Sequence, residues 1–200
     1  MPWFRVITFG LFVLLVRLGS ATAADLESAR RAYEQKEYAV AAPLFLDLAE
    51  QGSEEAQLAI GRMYMTGQGV QPDRAAAIKW LSAAASSGNA TAQFFLGAMY
   101  LLPQTDVPEG VKWLRLSAEQ GMQDAQYLLG KSYLQGGETL PRDPVQGLMW
   151  LQLAARENLL FYQNELQAAQ GQMTADQVAK AKALADAWQP RSGAEARSKP

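Results

Sequence analysis

The sequence predicts an all-α fold, an α-α superhelix in which helix-turn-helix repeats stack into a right-handed solenoid. Three observations carry that expectation. Alanine fills 34 of the 200 positions, whereas Val and Ile together fill only eight from Ala24 onward, a balance that favours helix formers over the β-branched residues of strands. A nine-residue pattern of Ala-Gln, three mostly apolar residues, Gly, two variable residues and Tyr occurs at Ala56–Tyr64, Ala92–Tyr100 and Ala125–Tyr133. Downstream of each copy an Asp stands seven residues before a Trp, in the pairs Asp73 and Trp80, Asp106 and Trp113, Asp143 and Trp150.

Taken in chain order, the first segment reads as a targeting signal. Arg5 precedes an apolar run from Val6 to Val16, and Ala21-Thr22-Ala23 supplies a small-residue exit, the order of a secretory signal peptide spanning 1–23 with cleavage after Ala23. The run of 11 residues is short of the roughly 20 that a membrane-spanning helix needs, and Arg17 interrupts its extension. Arg17 also weakens the signal, which leaves an uncleaved tether as the alternative. No cysteine is present to be lipidated, so the mature chain is expected free in the periplasm or outside the cell, with no stable membrane insertion.

Residues 24–188 are expected to form one solenoid: a helix pair at 26–52, repeats at 53–89, 90–122 and 123–158, and capping helices at 159–188. In the opening pair Ala29, Ala32 and Tyr33 face inward from one helix, and Ala41, Leu44, Phe45 and Leu48 from the next, with Gly52 as the stop. In the first repeat Ala56, Ile60 and Tyr64 recur every four residues and line one face of a helix, with Ala56 and Gly61 small enough for close approach. Gly67 and Gly69 end that helix. Asp73 caps a second helix whose buried stripe is Ala77, Trp80, Leu81 and Ala84, and Gly88 stops it. Asp143 followed by Pro144 marks the equivalent start in the third repeat. Gly121 and Asn158 stand where Gly88 does. The three tryptophans are expected in the core.

The second repeat is shortened. Tyr100 to Asp106 is six residues where Tyr64 to Asp73 is nine and Tyr133 to Asp143 is ten, so a tight Pro103–Pro108 connection and a local change of stacking angle are expected. Leu159–Gln170 reads as a helix. Thr174 with Gln177 is a capping box opening a last helix, with Val178, Ala181, Ala185 and Trp188 on one face, placed to cover the end of the stack. From Pro190 the chain is small, charged and aperiodic, and the tail 189–200 is expected to be disordered.

Composition closes several classes of chemistry. With no His and no Cys, a catalytic triad, a Cys-His nucleophile, a His-bearing metal site and a disulfide framework are all unavailable. No Ser-x-x-Lys, Gly-x-Ser-x-Gly or phosphate loop occurs. The carboxylates Asp47, Glu50, Glu54 and Glu55 flank a helix junction and do not face each other across a cleft as hydrolase pairs do. The net charge of −2, more acidic still without Arg5 and Arg17, argues against nucleic acid or anionic lipid as the main partner. No cofactor or metal is expected.

The candidate binding surface is the other face of the first helix in each repeat: Leu58, Arg62 and Met65, then Phe94, Ala98 and Leu101, then Tyr127, Lys131 and Leu134. First helices line the concave side of such stacks, so these nine positions would form one groove, apolar with two cations. Apolar anchors would hold a protein or peptide, with Arg62 and Lys131 available to an acidic side chain or a chain terminus. The pattern admits a second placement, in which Leu58, Phe94 and Tyr127 are buried between neighbouring repeats.

The Ala-Gln-x-x-Leu-Gly-x-x-Tyr element, the Gly67-x-Gly69-Val70-x-x-Asp73 loop and the Ala77-x-x-Trp80-x-x-x-Ala84-Ala85-x-x-Gly88 helix together resemble the Sel-one-like repeat, a relative of the tetratricopeptide repeat. The resemblance covers about Ser53 to Asn158, and the pair at 26–51 is similar to a looser tetratricopeptide unit. It implies an adaptor or scaffold without catalytic activity, of the kind found in bacterial envelope and signalling complexes. It also leaves two alternatives. One is a hydrolase of cell-wall or β-lactam substrates, as ascribed to a few secreted relatives that carry a disulfide-paired Cys in each repeat, from which this chain departs. The other is a soluble accessory subunit of an envelope enzyme.

Overall fold

The computed structural model describes residues 23–102, 106–157 and 159–191. The proposed signal segment before Ala23, Pro103 of the short connection, the Asn158 stop and the tail beyond Arg191 lie outside the described residues. Ten α-helices follow one another: α1 (Ala23–Glu34), α2 (Tyr38–Glu50), α3 (Glu54–Thr66), α4 (Arg74–Ser86), α5 (Ala90–Leu101), α6 (Val107–Glu119), α7 (Gln123–Gln135), α8 (Pro144–Ala154), α9 (Leu160–Gln170) and α10 (Ala175–Ala187), with a short 3-10 turn at Ala155–Glu157. Among the described residues no strand occurs, and no helix is long and apolar enough to cross a membrane. Consecutive helices pack in antiparallel pairs, and each pair packs on the next, which makes a helical solenoid.

Each hairpin closes on small residues. Ala56, Ile60, Ala77, Leu81 and Ala84 are fully buried, and so are the matching Ala92, Leu96, Leu114 and Ala118, then Ala125, Leu129 and Leu148. At Gly97 a Cβ would lie 2.9 Å from the Gly110 carbonyl oxygen and 2.8 Å from Leu114 Cγ. Only hydrogen fits between α5 and α6 there, and the recurring Gly of the nine-residue pattern is the contact that sets how closely the two helices approach.

The Asp of each repeat caps its second helix. Asp73 accepts from the N–H groups of Ala75 and Ala76, Asp106 from Glu109 and Asp143 from Gln146. The N–H of each of these aspartates in turn donates to the carbonyl of the repeat's tyrosine: Asp73 to Tyr64 at 3.1 Å, Asp106 to Tyr100 at 3.2 Å and Asp143 to Tyr133 at 2.9 Å. Loops of three lengths therefore close on one hydrogen bond, and the shortening of the second repeat is taken up between Tyr100 and Asp106.

The junctions between repeats are equally uniform. Gly52, Gly88 and Gly121 adopt φ of +90°, +94° and +91°, a left-handed conformation that glycine adopts without steric cost. The residue after each donates back to the last turn of the finished helix, Ser53 to Leu48, Asn89 to Ala84 and Met122 to Ser117. Ser53 and Asn89 then cap the next helix with their side chains; Met122 does not.

Three expectations are corrected. Leu44 is exposed, because the buried stripe of α2 runs through Ala41, Ala42, Phe45, Leu48 and Ala49 and leaves position 44 on its flank. Trp113 is only half-buried, whereas Trp80 and Trp150 are buried. The difference is one of cover: Trp150 meets Trp188, just past the end of α10, edge-on with ring centroids 6.3 Å apart, while Trp113 sits at the margin of the α4–α5 cluster. Tyr64, on the face of Ala56 and Ile60, packs half-buried against both the α1–α3 and the α4–α5 clusters, as its place on that face requires. Arg191, expected in the disordered tail, is held: its N–H donates to the Glu119 carbonyl at 2.7 Å and its guanidinium meets the Glu119 carboxylate at 2.9 Å. The capping box of Thr174 and Gln177 is present, and α10 closes the stack by packing on α8 through Ala181 and Ala185.

Candidate functional site

The nine candidate positions fall on α3, α5 and α7, the first helices of the three repeats. None is fully buried and eight of them are half-buried, with Arg62 exposed. Each large apolar member packs part of its side chain against a neighbouring core. Leu58 and Met65 lie against the α4–α5 cluster; Phe94, Leu101, Tyr127 and Leu134 lie against the cluster built from α6, α7 and α8. These side chains are half-buried: each packs in part against a neighbouring repeat and keeps the rest of its surface toward solvent.

Three hollows open along these helices. Leu58 and Arg62 join Arg30, Tyr33 and Phe45 around a hollow of 240 Å³ between α1 and α3. Leu101, Tyr127 and Lys131 line a larger one of 860 Å³, walled on its far side by the Gly136–Leu140 loop. Lys131 and Leu134 border a third of 200 Å³, shared with Glu165 and Met173. Met65, Phe94 and Ala98 line none of the three.

The two cations differ in circumstance. The Arg62 guanidinium sits over the Phe95 ring, 5.1 Å from its centroid, a weak attraction that holds the side chain along the face without neutralising it. Lys131, expected to be available to an acidic group, is already engaged: its ammonium donates to Glu165 of α9 at 2.8 Å. That hydrogen bond and the charge behind it hold the Lys131 pKa above its ordinary value, against the opposing effect of burial. Burial, with Glu165 close by, also pushes the neighbouring Tyr127 phenol up.

Sequence reasoning assigned no role to three residues that tie each first helix to the repeat before it. The Gln of each Ala-Gln pair reaches back to the preceding helix. Gln57 donates to the Ala49 carbonyl at 3.3 Å, Gln93 to Ala85 at 3.1 Å and Gln126 to Ala118 at 3.2 Å. Gln93 and Gln126 are buried and act as polar clamps between repeats. The recurrence of Gln beside an invariantly small residue was the available signal. The junction carboxylates are likewise structural: Glu55 takes a two-pronged hydrogen bond from Arg30, Glu54 accepts from Asn89 and Asp47 from Gln51. Among the described residues no group of three His, Cys, Asp or Glu side chains is placed to hold a metal ion.

Comparison with known proteins agrees with this geometry. The Sel1 repeat profile matches residues 54–89, 90–122 and 123–159, which are the three hairpins described above. No curated protein matches the chain significantly. Among solved structures, a Sel1 repeat protein from Oxalobacter formigenes is similar at 28% identity with a TM-score of 0.65, over 73% of this chain and 61% of that one. The chain thus spans about three fifths of that protein. A second is c5321, a protective antigen present in uropathogenic Escherichia coli strains displaying an SLR fold, at 27% identity and a TM-score of 0.43, over 79% of this chain and 42% of that one. With more than half of its length accounted for by three matched repeats, the chain belongs to the Sel1 repeat family.

Proposed function

We propose that this protein is a non-catalytic scaffold of the bacterial cell envelope that binds a protein or peptide segment along the first-helix face. Sel1 repeat proteins generally serve as non-catalytic scaffolds for protein–protein contact. The observation that carries the reading for this chain is the half-burial of eight of the nine positions: each large apolar side chain is held in place by a neighbouring repeat yet offers an edge outward, which is the preorganised state that lowers the cost of binding. Arg62, exposed beside Leu58 in the hollow between α1 and α3, is the cation offered to an acidic partner group.

Residues 1–23 serve as the export signal in this reading, and the mature chain works in the periplasm or outside the cell. Two experiments test the proposal. A photoreactive residue at position 94 or 127, crosslinked in the native envelope, captures a partner, and Phe94→Glu with Tyr127→Glu abolishes capture while the helical signal is kept; capture that survives both changes refutes the face. Amino-terminal sequencing of the periplasmic fraction reads Ala24 first, and a chain recovered only with membranes refutes the export reading.

A further inference from the structure

The C-terminal helices break the packing order of the repeats. In the repeats each second helix packs on its own partner and then on the first helix that follows, α4 on α5 and α6 on α7. By that order α9 should take the next place on α8. Instead α10 takes it, packing on α8 more extensively than α9 does. The helix α9 packs on α8 and on the 3-10 turn only lightly, and reaches α7 on the first-helix face through its side chains.

Its contacts there are with the candidate binding residues themselves. The rings of Phe161 and Tyr162 lie 5.1 and 5.4 Å from the Tyr127 ring, Glu165 pairs with Lys131 at 2.8 Å, and the Tyr162 hydroxyl donates to Asp124. The anchoring is thin. Tyr162 and Ala169 are the buried residues of α9, while Leu159, Leu160 and Phe161 at its start are 51%, 71% and 55% exposed. A helix held by Tyr162, Ala169 and the half-buried Leu166, one hydrogen bond to Asp124 and one half-buried ion pair packs less extensively than the repeat helices do, and belongs to the low-stability end of a structure, from which lids are drawn.

We infer that α9 is a detachable occupant of the first-helix face, and that the outside partner of this face is a helical segment of the same chemistry: two adjacent aromatic residues and a carboxylate one turn later. This rests on the scaffold reading above. Tyr127 and Lys131 are the repeat equivalents of Leu58 and Arg62, an apolar anchor with a cation one turn on. In the third repeat the chain answers both with its own helix, and α9 therefore displays the ligand that the face selects. While α9 is docked the apparent affinity for an outside segment is lowered by the fraction of molecules in which it is open.

The test uses a fluorescein-labelled peptide of residues 159–171 and the full chain, read by anisotropy. Removing the buried anchor with Tyr162→Ala frees the face, and the peptide is expected to bind that chain at least tenfold more tightly than the unaltered one. Adding Lys131→Glu to the Tyr162→Ala chain abolishes this binding, and a peptide carrying Glu165→Lys restores it. Hydrogen exchange on the unaltered chain is expected to be at least tenfold faster in α9 than in α8 and α10. Equal peptide binding by both folded chains, or α9 amides as protected as those of α8, overturns the inference. Should Tyr162→Ala fail to fold, Glu165→Lys in the chain supplies the release and the same comparison holds. Partner capture lost without any change in these peptide results counts against the scaffold reading alone; intact capture with no release of α9 counts against the inference alone.

Discussion

Replacing Gln93 by Ala tests whether the Ala-Gln element is a clamp or merely a helix start. Gln93 is 3% exposed, donates to the Ala85 carbonyl at 3.1 Å and accepts from Gln120 at 2.8 Å. Two neutral hydrogen bonds at about 1 kcal/mol each are lost, and the deleted aliphatic stem adds about 1 kcal/mol of lost burial, for a total near 3 kcal/mol. Gln57 makes one 3.3 Å bond from a half-buried position, so Gln57→Ala is expected to cost less than about 1 kcal/mol. In thermal melts followed by circular dichroism the difference appears as a midpoint roughly 6 to 12 °C lower for Gln93→Ala, against about 2 °C for Gln57→Ala. Gln93→Leu, which keeps the volume and loses both bonds, falls between them. Equal midpoints for the two alanine variants would refute the clamp.

Three further outcomes follow from particular distances and charges. Gly97→Ala drives a Cβ to 2.9 Å from both the Gly110 carbonyl and the Leu114 nitrogen, backbone atoms that yield only if the helices part, and costs about 2 to 3 kcal/mol in urea unfolding. Gly137→Ala, with nothing within 4 Å, leaves the midpoint unchanged. At alkaline pH the docking of α9 weakens. Lys131 is raised above 10.5 by Glu165, and Tyr127 and Tyr162 above 10.0, chiefly by burial and, for Tyr162, also by its bond to Asp124. A group whose pKa is raised on folding stabilises the fold fully below its unfolded value and loses that contribution as pH rises through the folded one. Absorbance at 295 nm therefore shows two phenols ionising later than pH 10, and the melting temperature falls above about pH 10.5; phenols that all titrate together at their ordinary value contradict this.

Much of the architecture was legible because the repeats restate each local rule three times. Asp73, Asp106 and Asp143 were recognisable as caps from their common distance to Trp, and the small residues at Ala56, Gly61 and Ala77 from their place on the apolar stripe. A cap or a close approach is decided within one or two turns of helix, so sequence distance is nearly spatial distance. The roles of the glutamines were not legible. Each Gln finds its acceptor eight residues back across a turn, and the carbonyl it meets is identified only once that turn has folded.

The amino-acid order alone determined that the chain makes paired helices, where most of them start and stop, and which positions lie opposite the buried stripe. These are matters of propensity, periodicity and capping, each settled within a few residues. Tertiary packing decided which tryptophan is covered, that α10 packs on α8 more extensively than α9 does, and that Lys131 is engaged from within while Arg62 is exposed to solvent. Those outcomes depend on which surfaces compete for the same neighbour, and such a competition is resolved by the fit of whole helices in three dimensions, which no local pattern encodes.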